Sequence, residues 1–80
     1  MLTLLFLGRL EDVAGEESVA LDMAAPATLA EIAERLKPEL AVAICAPEVR
    51  VALNGELVEQ AALRAANGNE LAFLPPVSGG

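Results

Sequence analysis

The chain opens on an apolar run, Leu2-Thr3-Leu4-Leu5-Phe6-Leu7, stopped by Gly8. A run this short, closed by glycine, reads as a strand. Leu10, Val13 and Ala14 follow at the i, i+3, i+4 spacing of one helical face, and Gly15 suits the left-handed position just past a helix end. From Ser18 to Met23 the period changes to two: Val19, Leu21 and Met23 fall on one side, Ser18, Ala20 and Asp22 on the other. Two strands joined by so short a connection predict an antiparallel pair.

The clearest start signal comes next. Thr28 followed by Glu31 predicts a capping box, and Leu29, Ile32, Ala33 and Leu36 form one apolar stripe behind it. Glu31 and Arg35 have the spacing of a favourable i,i+4 ion pair, and Arg35 and Lys37 would sit in the last turn, where cations suit the helix dipole. Pro38 predicts the end of this main helix. Glu39 to Ala46 is Ala-rich and apolar, a second short helix closed by Pro47. Glu48 to Glu59 reads as a hairpin. Val49, Val51 and Leu53 alternate with Arg50 and Ala52, and Asn54-Gly55 supplies the two positive-φ turn positions. Gln60 to Ala66 connects, with one helical turn, to a second turn at Asn67-Gly68. Leu71 to Leu74 is the last strand, stopped by Pro75-Pro76. The order is strand, strand, helix, strand, strand, strand. It predicts an α+β roll, a mixed sheet of about five strands packed on one main helix. Other small α+β folds share that order.

Composition narrows what such a domain does. Among 80 residues there are 12 acidic and 5 basic side chains, a net charge of -7, no His, one Cys and two aromatics, Phe6 and Phe73. Without His there is no imidazole base and no His metal ligand. One Cys makes no internal disulfide and no multi-Cys zinc or iron–sulfur site. Nucleic acid needs a Lys/Arg surface or stacking aromatics, and the chain has neither. No run approaches the ~18 apolar residues of a membrane span, and the opening run lacks a basic n-region, so the cytoplasm is the expected compartment. A hydrophobic content of 55% argues against disorder.

Candidate chemistry is sparse. No nucleophile sits beside a base, and no Gly-rich loop follows a strand. Scattered glutamates read as solvated surface. Cys45, between Ile44 and Ala46, reads as a small buried hydrophobe, and Phe6 and Phe73 as core. The end of the sequence stands apart. Residues 1–76 are expected to form the domain and 77–80 a flexible tail, Val77-Ser78-Gly79-Gly80. Two prolines stiffen its exit, and the last two residues have no side chains to obstruct a narrow channel. A terminal glycine carboxylate can attack the α-phosphorus of ATP, giving an acyl-adenylate open to a sulfur or amine nucleophile.

The stretch from Asn67 to Gly80, and above all Phe73-Leu74-Pro75-Pro76-Val77-Ser78-Gly79-Gly80, resembles the small, sulfur-carrier subunit of molybdopterin synthase. The similarity extends to Leu2–Leu7, to Glu11-Asp12-Val13-Ala14-Gly15 and to Val51-Ala52-Leu53-Asn54-Gly55. It implies a β-grasp (ubiquitin-like) fold and a non-catalytic carrier role. By this resemblance a ubiquitin-activating-enzyme-like adenylyltransferase would activate Gly80 with ATP and Mg²⁺, neither bound by this chain, and because the metal-binding product is made elsewhere no metal would bind it. A sulfur donor would then make the thiocarboxylate. The tail, Pro75 to Gly80, would enter the large catalytic subunit and give sulfur to cyclic pyranopterin monophosphate, in a heterotetramer of two small and two large subunits. Leu7, Leu57 and Leu74 match the family's hydrophobic partner-binding positions, with Leu where aromatics can occur at the first and last. The alternatives are sulfur carriage for thiamine, cysteine or tRNA thiolation, protein modification through Gly80, and a ubiquitin-like interaction module whose tail is inert. The acidic surface predicts basic grooves on the partners and salt-sensitive association.

Overall fold

The computed structural model describes residues 1–76. In chain order the elements are β1 (Leu2–Phe6), α1 (Arg9–Ala14), β2 (Ser18–Leu21), α2 (Leu29–Ala33), α3 (Pro38–Ile44), β3 (Arg50–Leu53), β4 (Glu56–Val58), a 3-10 turn (Gln60–Ala62) and β5 (Glu70–Leu74). The five strands form one mixed sheet in the order β2-β1-β5-β3-β4. β1 and β2 pair antiparallel as the short connection predicts, and β5 runs parallel to β1 and antiparallel to β3. This is the β-grasp roll.

Alternation decides which side of the sheet is buried. Leu2, Leu4 and Phe6 of β1, Val51 of β3, and Leu71 and Phe73 of β5 all face inward and are at most 3% exposed. The helices cover them with Leu10, Leu29, Ile32, Leu40 and Ile44. The two aromatic rings are register partners on β1 and β5. They stack with centroids 5.8 Å apart and planes 12° from parallel. Phe6 and Phe73 are core, as the sequence indicates.

Turn chemistry fixes the register. Asn54 and Gly55 both take positive φ, 50° and 86°, the conformation the β3–β4 turn requires. Asn54 does more: its amide N–H donates to the Glu70 carbonyl at 2.8 Å and its side-chain oxygen accepts the Glu70 N–H at 2.9 Å. The hairpin tip is thereby tied to the start of β5. At the same end, Asn67 bonds the Met23 N–H and the Asp22 carboxylate, linking the last turn to the end of β2.

The helical cover departs from the pattern read in the sequence. The main helix is shorter than its apolar stripe predicts, and the second short helix, read from Glu39 to Ala46, runs from Pro38 to Ile44. The Thr28–Glu31 capping box is present in both directions, but α2 ends at Ala33. Arg35 and Leu36 then bond back three residues, to Ile32 and Ala33, in a tightened last turn. Pro38 forces Lys37 into an extended conformation and serves as the first residue of α3. The Glu31–Arg35 pair does not form, because the Glu31 carboxylate is turned back onto the Thr28 N–H at 2.8 Å. Arg35 instead reaches the Asp22 carbonyl and the Met23 sulfur. Cys45 is exposed, not buried. A seven-residue helix has one side to bury; in α3 Leu40 and Ile44 occupy it, leaving Val42 and Cys45 outside.

Candidate functional site: the outer sheet face and the tail exit

The face of the sheet turned away from the helices is built from the alternate residues of the same strands. Register places Leu5 beside Ala72, Ala72 beside Ala52, and Ala52 beside Leu57, one row across four strands. The two alanines lie low between leucines, so the centre of the face is a flat apolar shelf. Leu74 lies two residues beyond Ala72 on β5, on the same face. Leu7 follows Phe6 alongside it, its N–H donating to the Phe73 carbonyl at 3.2 Å. Leu7 is 44% exposed, Leu57 60% exposed and Leu74 half-buried. The three residues singled out from sequence thus share one face. A sheet with one solvated side normally carries polar residues there; this one keeps leucines.

Pro75 and Pro76 leave β5 at the edge of this face. Gly8, the residue before α1, has φ 55° and ψ -132°. A Cβ built on it would stand 3.0 Å from Cγ of Pro75. Gly8 is therefore the residue that lets the exit pass close to the start of α1. Arg9, Val13, Ala43 and Glu48 line a shallow cleft with the two prolines. Val77, Ser78, Gly79 and Gly80 lie outside the described residues.

Other chemistry on the domain is thin. Partial burial pushes the Cys45 thiol up from its ordinary pKa, which disfavours the thiolate. Among the described residues no group of His, Cys, Asp and Glu side chains is placed to hold a metal ion, and no helix is long and apolar enough to cross a membrane. Sequence reasoning found the leucines of the outer face. It missed the shelf formed by Ala52 and Ala72, because neither residue is large enough to be noticed without the register. It also missed the contact of Gly8 with Pro75, for which no local signal exists.

Comparison with known proteins agrees with this geometry. A family model described as "ThiS family" matches residues 4–80. SAMP1 from Haloferax volcanii has a solved structure that superposes with a TM-score of 0.80 at 28% identity, covering 99% of this chain and 98% of that one. A crystal structure of the small archaeal modifier protein 1 of H. volcanii superposes with a TM-score of 0.68 at 27% identity, covering 95% and 97%. The complex of subunits 1 and 2 of the molybdopterin-converting factor from Helicobacter pylori gives a TM-score of 0.65 at 24% identity, covering 99% and 97%, a likeness of fold. No curated protein matches the sequence.

Proposed function

The chain belongs to the ThiS family, and from that premise we propose that it is a cytoplasmic sulfur carrier for molybdopterin synthesis, with Gly80 as the reacting residue. The observation that carries this reading is the sequence Phe73-Leu74-Pro75-Pro76-Val77-Ser78-Gly79-Gly80 at the end of a central strand, beside an apolar face that helices do not cover. The carrier supplies one carboxylate and a handle; acid, base and electrophilic groups belong to its partners. In the first step the Gly80 carboxylate oxygen attacks the α-phosphorus of Mg²⁺-bound ATP on an adenylating enzyme, and pyrophosphate leaves. Hydrosulfide released by a sulfur donor then attacks the acyl carbon, AMP leaves with its electron pair, and a thiocarboxylate remains. In the second step the tail enters the large subunit of the synthase. The thiocarboxylate sulfur bonds to a side-chain carbon of cyclic pyranopterin monophosphate as an oxygen leaves that carbon, water then cleaves the acyl–sulfur bond to restore the Gly80 carboxylate, and a second charged carrier supplies the second sulfur of the dithiolene. Leu7, Leu57 and Leu74 form the handle's contact with either partner, and Val77, Ser78 and Gly79 thread the channel.

The likeness to the small archaeal modifier protein of H. volcanii favours a second reading, in which the activated Gly80 is joined to lysines of other proteins. Both readings share activation and divide at the acceptor. The test is intact-mass analysis after incubation with adenylating enzyme, ATP, Mg²⁺ and a sulfur source. Carriage gives the mass gain of an oxygen-to-sulfur exchange on the chain, and the charged carrier then yields molybdopterin with large subunit and pyranopterin. An unchanged mass overturns sulfur carriage. Lysine adducts without molybdopterin establish the modifier reading instead, and another thiolated product establishes a different sulfur pathway.

A further inference from the structure

The chain has five basic side chains, and three are engaged locally. Lys37 pairs with Glu39 at 3.8 Å, Arg35 donates to the Asp22 carbonyl at 3.3 Å, and Arg64 donates to the Leu63 carbonyl at 2.9 Å. The other two, Arg9 and Arg50, are exposed and make no side-chain hydrogen bond or ion pair among the described residues. They share a location. Arg50 is the cross-strand partner of Leu74, the last residue of β5. Arg9 lines the cleft that holds Pro75 and Pro76. Two arginines that have no side-chain partner among the described residues therefore flank the point where the tail leaves the sheet. Glu48 lines the cleft of Arg9, and Glu48 and Glu59 line a second cleft with Arg50. Neither carboxylate comes within ion-pairing distance of either arginine.

We infer that Arg9 and Arg50 form a cationic collar around the tail exit, and that the adenylating enzyme that receives the tail presents carboxylates at the mouth of its channel to meet them. This rests on the proposal that Gly80 reacts inside a partner. Among the described residues these side chains have no internal partner, and a guanidinium with five donors in a fixed fork is suited to bind a carboxylate through two parallel bonds. Their distance from the chemistry also fits. Four residues beyond Pro76 reach at most about 14 Å when fully extended, so the collar meets the mouth of a channel and not the reacting group. A partner that was uniformly basic would attract the acidic body yet repel the chain at the point where the tail must enter. An acidic mouth inside a basic surround removes that conflict and fixes orientation, the part of recognition that charge governs best.

The test uses the full-length chain with the adenylating enzyme of the same organism in ATP–pyrophosphate exchange. For Arg9→Glu/Arg50→Glu the expected result is a KM raised about tenfold at unchanged kcat, with an unchanged melting temperature. For a control at exposed acids away from the exit, Glu34→Lys/Glu56→Lys, KM changes by less than about threefold. The sign is decisive. A basic mouth would lower KM for the arginine reversal, and either a lowered or an unchanged KM overturns the collar. Arg9→Gln/Arg50→Gln, with a smaller rise expected, keeps the test open where the reversed pair fails to fold. Exchange by the wild-type chain with no response to the arginines overturns the collar alone; no exchange by the wild type overturns the proposed function with it.

Discussion

The inner and outer faces of the sheet are composed of alternate residues of the same strands, and both are apolar. On the inner face Leu4, Phe6, Val51, Leu71 and Phe73 are sealed beneath the helices. On the outer face Leu5, Ala52, Ala72 and Leu74 stay half-buried and Leu57 is open. Hydrophobicity therefore does not separate a core from a docking surface. Volume and cover do. The inner face holds the large side chains, matched ring to ring at Phe6 and Phe73; the outer face places small alanines at its centre and leucines around them, which gives shape for a partner to fill. A small domain with 55% hydrophobic residues and no disulfide draws its stability from the first face. The second is available for use.

The largest test of that division is a pair of truncations. Phe73→Ala removes a fully buried ring that stacks on Phe6 and is expected to cost about 3–5 kcal/mol, a large share of the roughly 4–12 kcal/mol available to a domain of this size. Leu57→Ala is expected to stay within about 0.5 kcal/mol of wild type. Urea denaturation of both variants reads the contrast, and equal losses would break it. The next effect lies where the two faces meet at the exit. Gly8→Ala is expected to cost about 2 kcal/mol, because its backbone conformation is open mainly to glycine and the new methyl would press on Pro75. Gly55→Ala, also at positive φ but with nothing within 4 Å of its Cβ, is expected to cost about 1 kcal/mol. The excess at Gly8 combines its less accessible backbone conformation with the Pro75 contact. A third test leaves the fold alone. Leu57→Arg is expected to weaken adenylation at sub-saturating carrier about tenfold, the scale of a lost interface anchor, with the urea midpoint unmoved. Unimpaired adenylation would remove Leu57 from the activating enzyme's contact.

Much of this arrangement was legible in the sequence, for identifiable reasons. Period-two alternation in Ser18–Met23 and Val49–Leu53, and the Asn54-Gly55 turn, are local signals, and local signals found every strand. The capping box at Thr28 was likewise visible. The break after Ala33 was not, since the apolar stripe continues to Leu36 and the competing claim of Glu31 on its own cap is a choice between two good partners. Cys45 was misplaced because an Ala-rich helix shows no polar face to reveal which side is out. The outer shelf and the pairing of Arg50 with Leu74 depend on how β5 docks between β1 and β3. That is a long-range fact no window of residues contains.

The smallest effect concerns the cover of the inner face. Glu31 has a pKa held below the ordinary carboxylate range, first by the Thr28 N–H bond, then by the Thr28 side chain, with Arg64 adding a weak attraction. A carboxyl whose pKa is lowered by folding adds stability above its unfolded pKa and loses it as pH falls through the folded value. The cap of α2 is therefore expected to weaken in acid below the usual glutamate range, while the ring stack beneath it, having no titratable group, does not. At neutral pH Thr28→Ala is expected to cost about 1 kcal/mol. Glu31→Ala should lower the melting temperature at pH 7 and do so progressively less as the pH drops through that window. A gap between wild type and Glu31→Ala that stays constant to the acid limit would mean that the charge of Glu31 contributes nothing to the cap of α2.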